Sequence, residues 1–182
     1  MTDTLTGLGN RRRMEEELAS THGRARRIRR SYGIALFDID HFKLYNDHYG
    51  HLAGDDALRR VARCLDDTVR AGESIYRYGG EEFLLLLPDC DLADAGSAAE
   101  RIRQSVIAAA IPHEARPTKP ATVTLSGGLT CWTPGSDQAV LAELLQQADQ
   151  ALFQAKAAGR NRIHTHLFPT TEPQREHAST VR

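Results

Sequence analysis

Apolar positions along the chain change their period several times, and each change predicts an element. After a Gly- and Thr-rich opening over 4–10, Met14 and Leu18 recur at helical spacing from about Arg11, with Asn10 placed as the N-cap. Residues 33–39 contain the run Ile34-Ala35-Leu36-Phe37, which fits a strand buried on both faces. The following stretch reads as irregular and polar until Asp55, where a helix begins with Leu58, Val61, Ala62 and Leu65 inward and Arg59, Arg60 and Arg63 outward. Strand-like runs at 74–78 and 81–87 surround Gly79-Gly80 and predict a tight hairpin. A helix over 92–110 starts near Asp91, and a proline-rich loop over 112–120 leads to a strand over 122–131 whose middle is broken by Gly127 and Gly128. A helix over 138–158 closed by Gly159 and a short strand over 162–166 follow. Past residue 167 the chain is polar with two prolines, so 1–166 is the expected domain and 167–182 a flexible tail. This succession suits a mixed sheet with helices packed against it.

Composition removes several classes of function. With 182 residues, 41% hydrophobic positions and a net charge of -1, the chain is expected to form one folded domain rather than a disordered or self-repelling tail. The longest aliphatic and aromatic run, 83–87, is far short of the roughly 20 residues that cross a bilayer, and no basic stretch leads from Met1 into an apolar segment. A cytoplasmic protein without membrane contact is therefore expected. Five arginines crowd into 24–30, but no aromatic residue interleaves them, so they read as a solvated helix face rather than a nucleic-acid arm. Cys64, Cys90 and Cys131 are odd in number, lack metal-ligand spacing and read as separate, reduced, packed thiols. Only three lysines are present, and two of them, Lys43 and Lys156, fall in polar segments with candidate chemistry.

Four such segments stand out. Asp38 and Asp40 lie two apart at the end of a strand, a spacing that points both to one face, and paired carboxylates there suit a hard divalent cation such as magnesium. Gly79-Gly80 is followed at once by Glu81-Glu82; glycines without a Cβ let an anionic group approach the backbone, and adjacent acids beside phosphates require metal ions between them. In the segment from Phe42 to Asp55, Asn46 offers an amide and Asp55 two acceptors able to receive the N1 and N2 protons of a guanine edge, while Lys43 can direct a cation at phosphates. Lys156 and Arg160, four apart at a helix C-terminus, could clamp a polyphosphate. Each segment also has a plain structural reading: a solvated strand end, a tight turn, an N-cap at Asp55, a basic helix end. Their coexistence points to a guanine nucleotide and its metal.

These residues resemble the diguanylate cyclase family, named for its GGDEF or GGEEF signature. GGEEF stands at 79–83 after Arg77-Tyr78, with the family-like series Asp38-x-Asp40-x-Phe42-Lys43-x-x-Asn46-Asp47-x-x-Gly50-His51-x-x-Gly54-Asp55, the opening Asp3-x-Leu5-Thr6-Gly7-Leu8-x-Asn10-Arg11 and the closing Lys156-x-x-Gly159-Arg160-Asn161. The resemblance implies an α+β, palm-like nucleotidyl cyclase fold with a βαββαβ core, its central mixed or antiparallel sheet flanked by helices. It further implies condensation of two GTP into cyclic di-GMP with release of two pyrophosphates; a non-catalytic module that binds GTP or cyclic di-GMP is the alternative. By similarity, Asp38, the Ile39 carbonyl and Glu81 hold magnesium, with manganese as a substitute, and Glu81 accepts the proton of the attacking 3′-hydroxyl beside Glu82. Asn46 and Asp55 read guanine, Phe42, His51, Gly79 and Gly80 lie around the nucleotide, and Lys43, Lys156 and Arg160 meet the phosphates. One chain offers one half-site, so activity is expected of a homodimer, assembled by an upstream sensor or dimerisation domain beyond this sequence. Many members also bind product at an inhibitory Arg-x-x-Asp pattern; here the matching stretch is Arg70-Ala71-Gly72-Glu73, whose extra methylene displaces the carboxylate, with Arg101 as a second arginine.

Overall fold

A computed structural model describes residues 1–135 and 141–166. Helix α1 (Arg11–Ile28) is capped by Asn10, whose side-chain oxygen accepts from the Arg13 amide. It leads to β1 (Tyr32–Ile39), a strand buried along its whole length. Helices α2 (Phe42–Tyr49) and α3 (His51–Thr68) follow, then the hairpin β2 (Ser74–Gly79) and β3 (Glu82–Pro88), α4 (Leu92–Ala108), β4 (Leu125–Trp132), α5 (Leu141–Ala157) and β5 (Ile163–Thr165). The five strands form one sheet in the order β2-β3-β1-β4-β5, antiparallel except for the β4/β5 edge. The architecture is α+β, as expected from the sequence.

Both faces of the sheet are covered, which explains the unbroken apolar run of β1. Ala35, Phe37 and Ile39 face α3 and α4 in one core cluster, while Tyr32, Ile34 and Leu36 face α1 and α5 in the other. Central β1 thus delivers its last residues, Asp38 and Ile39, to the end of the sheet where the β2–β3 hairpin turns.

Three local expectations differ from the structure. The stretch after β1 is helical, with α2 and α3 meeting at Gly50 (φ 85), so Asp55 lies inside α3 and caps nothing. Strand β4 runs unbroken through Gly127 and Gly128: a Cβ on Gly127 would sit 2.7 Å from Ile163 and one on Gly128 would sit 2.0 Å from the Ala148 carbonyl oxygen. Those glycines admit close neighbours, which is why they stay within the strand. The third concerns the thiols: Cys90 and Cys131 share one site across β1. The expected start of the last helix at 138 and the tail over 167–182 lie outside the described residues.

Candidate active site

Strand register brings the acidic end of β1 to the hairpin tip. Asp38 pairs with Glu82 across the β1/β3 ladder, and the Ile39 amide donates to the Glu81 carbonyl at 3.3 Å. Because Gly79 pairs with Glu82, the two-residue turn is Gly80-Glu81, not Gly79-Gly80, and of the two glycines only Gly80 has a positive φ, of 46°. A methyl group placed on either glycine would meet nothing within 4 Å. The tip is open to an incoming anionic group.

Three carboxylates, Asp38, Glu81 and Glu82, gather at this end of the sheet, where the charges of Asp38 and Lys156 act on both glutamates. Lys156 Nζ lies 2.9 Å from Asp38 Oδ2, delivered from the last turn of α5. Burial raises all three carboxyls above their ordinary range; Asp38 adds repulsion at both glutamates, and Lys156 offsets only part of it. A cluster with more negative charge than its lysine neutralises has the donor chemistry of a hard divalent cation site. Among the described residues, however, no three acidic or imidazole groups converge into a finished ligand set. Arg160 lies beyond α5 in the left-handed region (φ 64), so it does not share a helix face with Lys156; its charge still acts on Asp38.

Asp40 departs from expectation. Its side chain is buried and consumed: Oδ2 accepts from Thr124 Oγ1 at 2.5 Å and the Asn161 amide at 3.0 Å, and Oδ1 accepts from Ser126 Oγ at 2.6 Å. It therefore ties the end of β1 to β4 and to the turn after α5 instead of joining Asp38. Arg103 grips the same turn through Asn161 Oδ1 at 2.5 Å. Sequence spacing alone shows two acids on one face; it does not show that hydroxyls at the entry to β4, Thr124 and Ser126, saturate one of them.

On the other side, α2 presents Lys43, exposed, and half-buried Asn46, while α3 presents exposed His51 and half-buried Asp55; Phe42 is core. The Asn46 amide lies against α3 at Gly54, the residue before Asp55, because that glycine leaves room for it: a Cβ there would stand 1.8 Å from Asn46 Oδ1. Residues 70, 73 and 101 gather elsewhere, in a cleft of about 610 Å³ between α1, α4 and the β2–β3 end. There Arg101 Nη2 donates to both Glu73 carboxylate oxygens at 2.7 and 2.6 Å, and the Arg70 amide donates to Glu73 Oε2 at 2.8 Å.

The hairpin tip has a support that the sequence does not reveal. Arg77 donates from Nε and Nη2 to the Gly80 carbonyl at 3.0 and 2.7 Å, and from Nη1 to Asp3 Oδ1 at 2.9 Å. Burial would raise the Asp3 carboxyl, but hydrogen bonds from Thr6, with Arg77 behind them, hold it below the ordinary aspartate range. A lowered folded value stabilises the fold above the unfolded value, about 3.9, and that stabilisation is lost as pH falls through the folded value. Protection of the hairpin-tip amides, measured against their intrinsic exchange rates, is accordingly expected to fall on acidification below about pH 4, and in Asp3→Ala to be low already at neutral pH; tip protection in that variant equal to the parent's would dismiss the support.

Comparisons with known proteins bear on the family and the fold. The family model described as diguanylate cyclase, GGDEF domain, matches residues 1–162. The diguanylate cyclase DgcP of Pseudomonas aeruginosa is 40% identical over 90% of this chain and 23% of its own length, and the response regulator PleD of Caulobacter vibrioides is 44% identical over 90% and 35%. The chain thus spans well under half the length of these relatives. Among solved structures, the GGDEF domain of DgcB from Caulobacter crescentus in complex with c-di-GMP superposes with a TM-score of 0.81 at 31% identity, covering 92% of this chain and 93% of that one. The diguanylate cyclase SiaD from Pseudomonas aeruginosa, solved in complex with its activator SiaC, gives 0.79 at 39%, covering 90% and 61%.

Proposed function

The chain belongs to the GGDEF diguanylate cyclase family, and from that premise we propose that it condenses two GTP into cyclic di-GMP, releasing two pyrophosphates. The observation that carries the reading is the meeting of Asp38 with the Gly80-Glu81 turn beside Lys156. Asp38, the Ile39 carbonyl and Glu81 would hold magnesium or manganese, with Glu82 as a neighbouring acid. The bound cation supplies charge neutralisation on the polyphosphate and a lowered pKa for the attacking hydroxyl. Asn46 and Asp55 orient guanine, Asp55 accepting from N1–H and N2–H, with Phe42 and His51 beside the nucleotide. Gly79 and Gly80 leave room for the phosphates, and Lys43, Lys156 and Arg160 offset their charge.

Glu81 takes the proton of a 3′-hydroxyl as its oxygen bonds to the α-phosphorus of the other GTP; the bond to the β-phosphate breaks and pyrophosphate leaves. The step occurs twice. One chain has one set of these groups, so two copies face each other during reaction, and a domain or protein that pairs them sets the rate. The cleft around Arg70, Glu73 and Arg101 is read as a product-binding inhibitory site, with Arg101 Nε buried and without a hydrogen-bond partner there. No helix among the described residues is long and apolar enough to cross a membrane, and the reaction needs only soluble nucleotides, which fits the cytoplasm.

Purified protein incubated with GTP and magnesium, with nucleotides resolved by chromatography, should yield cyclic di-GMP at a rate that falls more than proportionally on dilution. GTP binding without product at high protein concentration would favour the non-catalytic module instead. Gly54→Ala tests base recognition separately. Its methyl group displaces the Asn46 amide while alanine improves the helix by up to about 1 kcal/mol, so KM for GTP should rise about tenfold with melting temperature unchanged or higher. An unchanged KM would take Asn46 off the base.

A further inference from the structure

The sequence offers three cysteines with no shared motif, yet β-sheet register makes a pair of two of them. Gly33 in β1 lies opposite Cys131 on β4 and opposite Leu87 on β3. Three residues past Leu87 the chain folds back, and Cys90 Sγ donates to the Leu87 carbonyl at 3.2 Å. Both sulfurs then occupy the space a side chain on Gly33 would need: a Cβ there would stand 3.1 Å from Cys131 Sγ and 3.4 Å from Cys90 Sγ. The glycine is thus the floor of a two-thiol site, with both sulfurs in contact distance of the same point above it. Cys131 is buried; Cys90 is half-buried and lines the 610 Å³ cleft. Cys90 is thus the more accessible residue of the pair and Cys131 the shielded one, the arrangement of an attacking and a resolving thiol.

We propose that Cys90 and Cys131 form a reversible dithiol–disulfide site that responds to hydroperoxide. Cys90 attacks the peroxide: an S–O bond forms, the O–O bond breaks, and the leaving hydroxide takes the Cys90 proton to depart as water. Cys131 sulfur then attacks the sulfenic acid, forming S–S as the S–O bond breaks; the hydroxyl leaves as a second water with the Cys131 proton. Two electrons pass from the thiols to the peroxide. A dithiol reductant restores both thiols by exchange. Hydrogen bonding from Cys131, and from the Gly33 amide, lowers the Cys90 thiol below its ordinary value against the opposing effect of burial, while the same contact and burial push Cys131 up. The place of Cys90 on the cleft wall, with Cys131 buried, assigns the first attack to Cys90, and the direction of the two shifts agrees. The cross-link ties the β3–α4 connection to β4 and fixes the cleft wall that also carries Arg101.

Treatment of the reduced full chain with stoichiometric hydrogen peroxide, followed by alkylation and non-reducing peptide mapping, tests this directly. The expected result is one intramolecular Cys90–Cys131 disulfide, a mass lower by two hydrogens, Cys64 still alkylated, and recovery of both thiols with dithiothreitol. Cys131→Ser should leave Cys90 as a sulfenic acid trapped by a 1,3-dione. Sulfinic or sulfonic acid at Cys90 with Cys131 still alkylated, or disulfides that involve Cys64 or join two chains, would overturn the proposal. The wild-type map decides it even where the serine variant folds poorly.

Discussion

Glu81→Gln is expected to reduce cyclic di-GMP formation by about a thousandfold or more, the combined loss of a proton acceptor and a cation ligand, without weakening the fold. Glutamine preserves the side chain's length and polarity, so the Gly80-Glu81 turn and its bond to the Ile39 amide, made by backbone atoms, persist. Stability should even rise at neutral pH. Burial, and then the Asp38 charge, push the Glu81 carboxyl above its ordinary value, so between those two values the folded chain binds more proton than the unfolded one. Stability contributed by this group therefore declines as pH climbs through that window and is lost above the folded value. An uncharged side chain is free of it. Magnesium should raise the melting temperature of the parent, whose acids it neutralises, more than that of the variant. Chromatography of the nucleotides and melting curves with and without magnesium check both halves; product at the parental rate, or an equal magnesium shift in both proteins, would take Glu81 out of its role.

The same site shows where sequence reasoning reaches and where it stops. Strand β1 and the hairpin were legible because their apolar runs are continuous and their ends are marked by Asp38 and by adjacent glycines, all local signals. Helix α2 was hidden: its buried side chains, Phe42 and Tyr45, are separated by Lys43 and Leu44, both exposed, and its N-cap His41 has φ 59 with no side-chain capping bond to announce the start. Asp40 was misplaced for a different reason. Period-two spacing correctly lists it with Asp38, but Thr124 and Ser126, which consume its oxygens, are more than eighty residues away and carry no pattern of their own. The Arg77 support and the Cys90–Cys131 pair are likewise products of strand register. Long-range register, not local propensity, decides which acid is available and which thiols meet.

Register also makes Gly128 the position where one methyl group should do most damage. Helix α5 crosses β4 so closely that a Cβ on Gly128 would stand 2.0 Å from the Ala148 carbonyl oxygen, 2.2 Å from the Leu152 amide nitrogen and 2.9 Å from the Ala151 carbonyl carbon. All three are backbone atoms, so no rotamer change relieves the clash, and α5 must lift from the sheet or β4 must bend. Overpacking of this kind costs about 3 kcal/mol or more, a large part of the stability of a domain this size. Lifting α5 also withdraws Lys156, which reaches Asp38 from the last turn of that helix. Gly128→Ala is thus expected to lower the urea midpoint sharply and to reduce product formation in whatever fraction remains folded. Gly96 supplies the contrast: it lies in α4, where a Cβ would meet only Leu129 Cδ2 at 3.9 Å. Gly96→Ala should therefore stabilise the chain by up to about 1 kcal/mol through helix propensity and leave activity intact. A Gly128→Ala midpoint matching the parent's would mean that α5 does not rest on the backbone of β4, and the placement of Lys156 beside Asp38 would fall with it.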